Sequence, residues 1–168
     1  MKKLTDVAVM AVTAAVLCSA FALADVTASD VLNNLHATNQ AEIHMGAVAR
    51  EKGSTDEVRD YGKTLIRDHE DNDRKVIALA AKDGITLKST KPGPMDKMEM
   101  KHLKSLTGSD FDKAFAKKMI DGHKAKIGEM ESAQASALPD DVRDLVANTL
   151  PVLHKHLDMA QKIDGQRS

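Results

Sequence analysis

Four side chains that can bind a metal ion recur on the apolar faces of four predicted helices. An ordinary helical core has leucine or alanine at such positions, because a buried polar group is costly unless it is hydrogen-bonded or bound to a metal. The four residues are Glu42, His69, His123 and His156. Since each lies near the middle of a different helix, the sequence predicts that they meet in one buried polar site.

Three imidazoles and a carboxylate are suitable ligands for one Zn²⁺, Cu²⁺ or Fe²⁺ ion, so the pattern predicts a mononuclear transition-metal site. Three neighbouring acids are predicted to orient the imidazoles through hydrogen bonds. They are Asp68, Asp73 and Asp121. One alternative is a metal-free hydrogen-bond network in which Glu42 accepts from two histidines and a water completes the set. A rotation of the helices that exposes one or two of the four residues is the other.

Four long amphipathic helices are predicted to position these residues. Apolar residues recur at helical spacing, and Ser or Thr precedes three of the four runs as a capping residue. The predicted ranges are 29–52, 55–82, 109–137 and 139–163, with Thr27 or Ser29, Ser54 or Thr55, and Ser109 as caps. Pro151 lies inside the last helix, where a bend is expected.

The connections between the helices predict the topology. The turn at 54–55 is so short that the first two helices must form an antiparallel hairpin. Residues 84–108 form a long connection, with loop chemistry at 88–94 and a short helix at 95–106. The sequence therefore predicts an all-α fold, a ferritin-like antiparallel four-helix bundle whose long crossover carries a short helix.

The N-terminal segment predicts export. Lysines at positions 2 and 3, an apolar run and an A-x-A pattern at 22–24 are typical of a signal peptide, assigned here to residues 1–24. Residues 25–168 then form one domain. The only cysteine, Cys18, lies in the leader, so cysteine chemistry is not expected in the mature chain.

Composition argues against several function classes. The net charge is −1 without a basic block, and aromatic residues make up 2% of the chain, so nucleic acid is not an expected partner. A di-iron enzyme needs Glu-x-x-His on two core helices, whereas the single match, Glu99 to His102, falls in the connection. Enzymatic activity is therefore not predicted.

A weaker alternative is copper binding by a group in the same connection, Met95, Met98, Met100 and His102.

Several dispersed motifs in the mature chain resemble one family of exported bacterial proteins. They are Asn39-Gln40-Ala41-Glu42-Ile43, Asp68-His69, Phe111-Asp112, His123, Leu150-Pro151 and His156-Leu157. The family is domain of unknown function 4142, whose members are often described as outer membrane proteins. The resemblance implies a ferritin-like fold and an exported location, and it includes the same Glu and His positions. It implies no activity.

These observations lead to two hypotheses about function. The first is a periplasmic bundle that binds one transition metal ion, in metal handling or stress tolerance. The second is a non-catalytic interaction or stress protein whose buried Glu and His residues only fix the register of the helices. The expected location is the periplasm, with peripheral association with the outer membrane as an option. No apolar run after the leader is long enough to span a bilayer.

Overall fold

The computed structural model describes residues 26–91 and 94–166, which form five α-helices and no β-strand. The helices are α1 (Ala28–Lys52), α2 (Asp56–Lys82), α3 (Pro94–Ser105), α4 (Gly108–Gln134) and α5 (Asp140–Gly165). The all-α prediction is confirmed for this part of the chain. The predicted signal peptide, residues 1–24, lies outside the described residues.

The helix boundaries follow local capping chemistry with one clear exception. Thr27 caps α1 in a capping box with Asp30, and Thr55 caps α2, as the sequence predicts. The prediction for α4 was wrong at both ends. This helix starts at Gly108, whose φ of 59° suits glycine, and Ser109 lies inside it. It ends at Gln134, short of Ala137, because Leu138 precedes proline and turns into the core.

The helices α1 and α2 form a tightly packed antiparallel hairpin. A Cβ atom on Gly46 would lie 2.6 Å from the carbonyl oxygen of Gly62, and a Cβ on Gly62 would lie equally close to that of Gly46. Only glycine permits this approach of the two backbones. The contact fixes the register of the hairpin, and so the height of every polar residue along α1 and α2.

Contacts at the helix ends define the direction of the other two long helices. Ser54, at the start of α2, donates its amide to Asp112 in the first turn of α4, so α2 and α4 run parallel. Lys82 at the end of α2 pairs with Asp141 at the start of α5, so α5 is antiparallel to α2. The connection that carries α3 therefore spans the length of the bundle. The specifically ferritin-like arrangement stays a prediction.

The apolar core is divided into two clusters, one toward each end of the bundle. On α2 His69 falls between Leu65 of one cluster and Val76 of the other. The other two histidines occupy the same kind of position on their helices: His123 lies between Met119 and Ile127, and His156 lies between Leu153 and Ala160. The three histidines thus form a layer that separates the two apolar clusters.

Candidate metal centre

Three of the four residues predicted to form the site come together in this layer. His69 from α2, His123 from α4 and His156 from α5 are all buried, with no more than 3% of each residue exposed. One ring nitrogen from each lies within 4.8 Å of the nitrogens from the other two. The sequence therefore placed all three correctly on the inner faces of their helices.

A chain of hydrogen bonds fixes which nitrogen of His69 carries its proton. The Thr149 hydroxyl donates to the carbonyl oxygen of Leu145, a pure acceptor, and so it accepts the amide N–H of Asn72. The side-chain oxygen of Asn72 then accepts from the amide of Asn39. The remaining oxygen of Asn39 lies 2.9 Å from Nδ1 of His69, so this nitrogen must be the donor. In the neutral ring, Nε2 of His69 is left with a lone pair.

The other two imidazoles are oriented by acceptors as well. Nδ1 of His123 lies 2.9 Å from the carbonyl oxygen of Met119 and donates to it. Nε2 of His156 lies 3.0 Å from the carboxylate of Asp68 and donates to it. The neutral rings therefore keep their lone pairs on Nε2 of His123 and Nδ1 of His156.

The three remaining nitrogens are acceptors, and within the described part of the chain no hydrogen-bond donor reaches them. Nε2 of His123 and Nδ1 of His156 are 3.4 Å apart, and neither carries a hydrogen in these tautomers. Nε2 of His69 is buried and has no hydrogen-bond partner among the described residues. A separation of about 3.4 Å matches two nitrogens on one tetrahedral zinc ion with Zn–N bonds of about 2.0–2.1 Å. A cation can satisfy all three lone pairs at once.

Burial keeps these imidazoles neutral, which is the form that binds metals. Loss of hydration, together with repulsion from the other two rings, lowers the pKa of His69 to about 3. Burial and the neighbouring His156 ring lower the pKa of His123 to about 4. Burial also lowers the pKa of His156, although the hydrogen bond to Asp68 opposes that effect. All three side chains are therefore ready to act as ligands at neutral pH.

Glu42 lies at the level of the histidine layer but outside the group of three. Along α1 it falls between Asn39, which contacts His69, and Gly46, which packs on Gly62. Its Oε2 atom is buried without a hydrogen-bond partner among the described residues. Burial raises the pKa of this carboxyl to about 7, against the opposing effect of Lys118 and Lys126. The structure thus places a desolvated acid on the α1 side of the layer.

Tyr61 completes the polar surroundings of the layer. Its ring meets that of His156 edge to face, with the ring centroids 6.2 Å apart. Its hydroxyl is buried and also has no partner among the described residues. Burial and the nearby charge of Glu42 raise the pKa of the Tyr61 hydroxyl. The phenol therefore stays protonated and can donate a hydrogen bond.

The three acids predicted to orient imidazoles have different positions in the structure. Asp68 does so, but its partner is His156 rather than the adjacent His69. Burial alone would raise the pKa of Asp68, but hydrogen bonds from His156, Arg67 and Lys155 lower it to about 2. Asp68 is therefore an ionised acceptor.

Asp73 and Asp121 do not contact the histidine layer. Asp73 is buried and bonds Nδ1 of His36 at 2.7 Å and the amide of Gln40 at 2.8 Å. His36 is consequently half-buried. Asp121 is exposed and pairs with Lys117 one turn earlier on α4. Helical spacing placed these acids near the site in sequence, but their side chains point away from it.

Sequence reasoning did not assign Asn39 and Asn72 to the site. Both lie one turn along the helix from a predicted ligand, Asn39 before Glu42 and Asn72 after His69. Polar residues at this spacing on an inward face were the available signal. Of the alternative methionine group, Met98 is 73% exposed and Met100 packs on the apolar core.

Comparison with known proteins identifies the family. The chain matches a domain of unknown function, DUF4142, over residues 13–163, and therefore belongs to this family. No protein among those with curated descriptions matches it significantly.

Two solved structures share the fold. A DUF305 fragment from Deinococcus radiodurans superposes with a TM-score of 0.74 at 12% identity, covering 83% of this chain and 95% of that one. A DUF305 protein from Streptomyces coelicolor, thought to be secreted, gives 0.70 at 15% identity, covering 84% and 94%. No described helix of the present chain is long and apolar enough to cross a membrane.

Proposed function

We propose that this protein binds one transition metal ion in the histidine layer, through Nε2 of His69, Nε2 of His123 and Nδ1 of His156. The observation that carries the proposal is the convergence of three buried lone pairs, each on a ring whose other nitrogen is tied to an acceptor. Histidine ligands of metals in proteins are typically held by such second hydrogen bonds. Imidazole ligands suit Zn²⁺, Cu²⁺ or Fe²⁺.

Three protein ligands leave a fourth position on a tetrahedral ion. The unpartnered carboxyl of Glu42 lies at the same level of the bundle and is the acid best placed to face that position. We assign it the role of accepting a hydrogen bond from a water on the metal, or of completing the coordination after a side-chain movement. The phenol of Tyr61, linked electrostatically to Glu42, lies on the same side of the layer.

The physiological role that fits such a site is metal handling or stress tolerance outside the cytoplasm. The signal sequence expected at residues 1–24 supports a periplasmic location, as does the structural similarity to a protein thought to be secreted. The parallel α2 and α4 and the long crossover support a bundle of the ferritin-like type. The single-metal site proposed here differs from the carboxylate-rich di-iron sites of that fold.

Zinc titration of chelator-treated protein, followed by calorimetry, tests the proposal. We expect one ion per chain, and we expect His156→Ala to abolish this binding. His154→Ala is the matched control, because His154 lies on the same helix two residues earlier but is exposed. Equal zinc binding by the two variants would refute the assignment.

A further inference from the structure

A large groove lies between α1 and α3. It has a volume of about 790 Å³, and its walls come from α1, from the connection at 89–91, from α3 and from Lys118 of α4. Small-molecule sites in proteins usually have volumes of 300–1,000 Å³. The groove is thus of the size that holds an organic ligand, and the three histidines are not among its lining residues.

The floor of this groove is an apolar stripe along α1. Ala37, Ala41, Met45 and Val48 recur at intervals of three or four residues, and Met100 of α3 faces them. Two of the four α1 residues, Ala37 and Ala41, are exposed although they are apolar. Met45 and Val48 also belong to one of the apolar core clusters, so the stripe extends the core-facing side of α1 out to the two exposed alanines, and it is about three turns long.

The rim of the groove is positively charged. Lys97, Lys101 and Lys104 share one face of α3, because they are spaced four and three residues apart, and Lys91 lies just before this helix. None of these four lysines forms an ion pair within the part of the chain that the structure describes. Of the two acids in the lining, Glu99 is already paired with Lys118 at 2.6 Å.

This concentration of positive charge is local. The chain as a whole carries a net charge of −1, so four lysines without acidic partners beside one groove stand out from the overall balance. Their ammonium groups would attract an anionic head group, and the stripe below them would cover an alkyl chain. Among the described residues no Phe, Tyr or Trp lines the groove, which argues against ligands recognised by stacking on large aromatic rings.

We propose that the groove between α1 and α3 binds a single-chain amphiphile with an anionic head group, of the class of free long-chain fatty acids. The carboxylate pairs with the lysines of α3, and the alkyl chain lies along Ala41, Met45 and Val48. The occupant is a monomeric molecule rather than a membrane surface, because a flat bilayer cannot reach the floor of a concave groove. The proposal does not depend on metal binding.

Calorimetry with dodecanoate tests this inference. The full-length protein is first freed of bound lipid, and dodecanoate is added below its micelle concentration. We expect one molecule per chain, and at least tenfold weaker binding of dodecanol, which has the same chain without the charge. The double variant Lys97→Glu/Lys101→Glu should weaken dodecanoate binding at least tenfold. The matched control Lys113→Glu/Lys124→Glu changes two exposed lysines outside the groove and should bind as the unchanged protein does.

A second variant tests the floor independently of the rim. Ala41→Glu places a carboxylate on the exposed apolar stripe and should reduce dodecanoate binding by a similar factor, with an unchanged circular dichroism spectrum. The proposal would be overturned if the protein did not bind dodecanoate, or if it bound dodecanol as tightly as dodecanoate. It would also be overturned if the groove lysine variant and the control lysine variant weakened dodecanoate binding equally. Association with anionic phospholipid vesicles in place of free dodecanoate would overturn it as well.

Discussion

The core contains two adjacent polar layers, and they differ in how their polar groups are satisfied. In the layer of Asn39, Asn72 and Thr149, each side chain donates and accepts in one continuous chain that ends on a backbone carbonyl. In the histidine layer, each ring donates outward, and three acceptor nitrogens remain directed toward one another. The hydrogen bonds of the first layer are made within the protein, whereas in the second layer three acceptors come together and no donor among the described residues reaches them.

This difference separates the two hypotheses drawn from the sequence. A polar layer that only fixes helix register stabilises the fold most when all its hydrogen bonds are made inside the protein, as in the asparagine layer. A layer that binds a cation needs free lone pairs held in place by outer hydrogen bonds, as in the histidine layer. The chain thus contains both types, and only the second has the features of a ligand site.

The largest expected effect comes from removing one ligand from the histidine layer. Zinc at 100 times its dissociation constant stabilises a protein by about 2.7 kcal/mol, which for a domain of this size raises the melting temperature by roughly 5–10 °C. His123→Ala should abolish this increase and leave a folded metal-free bundle. Thermal melts with and without zinc measure it, and an undiminished increase in the variant would contradict the assignment.

Low pH should reduce the unfolding free energy of the metal-free protein, because of the same histidine layer. The pKa values of the three histidines are lowered in the folded state, so between about pH 6.5 and pH 4 the unfolded chain binds protons that the folded chain does not. Stability is therefore lost as the pH falls through this range, by a few kcal/mol between pH 7 and pH 5. The raised pKa of Glu42 changes the stability in the opposite direction, but it is a single group, whereas three histidines contribute to the loss. Urea unfolding across this range measures the slope, and a flat profile would contradict the burial of neutral imidazoles.

The asparagine layer should behave differently. Asn72→Leu leaves Asn39 and Thr149 without their partner, which is expected to cost about 2 kcal/mol of unfolding free energy. The loss should be present in the metal-free protein and at least as large in the zinc-loaded protein, because Asn72 holds the Asn39 amide whose oxygen accepts from His69. Urea unfolding of both forms measures it, with the exposed Asn148→Leu as a control. Unchanged stability of the metal-free form would contradict the structural role of this layer.

Asp68 connects the histidine layer to the surface, and its removal should weaken metal binding without removing a ligand. Asp68→Asn replaces an ionised acceptor of the His156 N–H by a neutral one, and changes of this kind typically reduce metal affinity by 10-fold or more. Competition with a chelating dye measures the affinity. Asp121→Asn, at an exposed position away from the layer, should leave it unchanged.

The substitution expected to stabilise the protein is at Glu42. Its pKa of about 7 in the folded state lies above its ordinary value of 4.5, so the folded protein binds a proton that the unfolded chain releases between these values. Stability from this group is lost as the pH rises through 7. Glu42→Gln should therefore stabilise the metal-free protein by up to about 3 kcal/mol at pH 8 and by less than about 1 kcal/mol at pH 5. Destabilisation by the same substitution at pH 8 would mean that the carboxylate is well paired.

The sequence was sufficient to predict the helices and the inward histidines, because both depend on periodicity within one helix. The hairpin turn and the caps at Thr27 and Thr55 are likewise local signals. Partners between helices were not predictable in this way. Asp68 lies beside His69 in sequence but contacts His156, since neighbouring residues on a helix point in different directions, and the facing helix supplies the partner.

The same limit explains the positions of Asp73 and Glu42. Asp73 lies one turn after His69, but the register fixed by Gly46 and Gly62 places it opposite His36 and Gln40. Helical phase alone placed Glu42 in the inward set, but only the distances between helices show that it stays outside the group of three histidines. The height of Glu42 along the bundle axis could be predicted from the sequence, whereas its lateral distance from the histidines could be seen only in the packed structure.

The metal content of the mature protein, isolated from the periplasm without chelators and without an affinity tag, tests the central claim most directly. Elemental mass spectrometry should find about one equivalent of a single transition metal per chain in the unchanged protein and none in His69→Ala. Metal-free protein from the periplasm, with no change in melting temperature on adding zinc, copper or iron, would contradict the account. The histidine layer would then be a second structural layer like its asparagine neighbour.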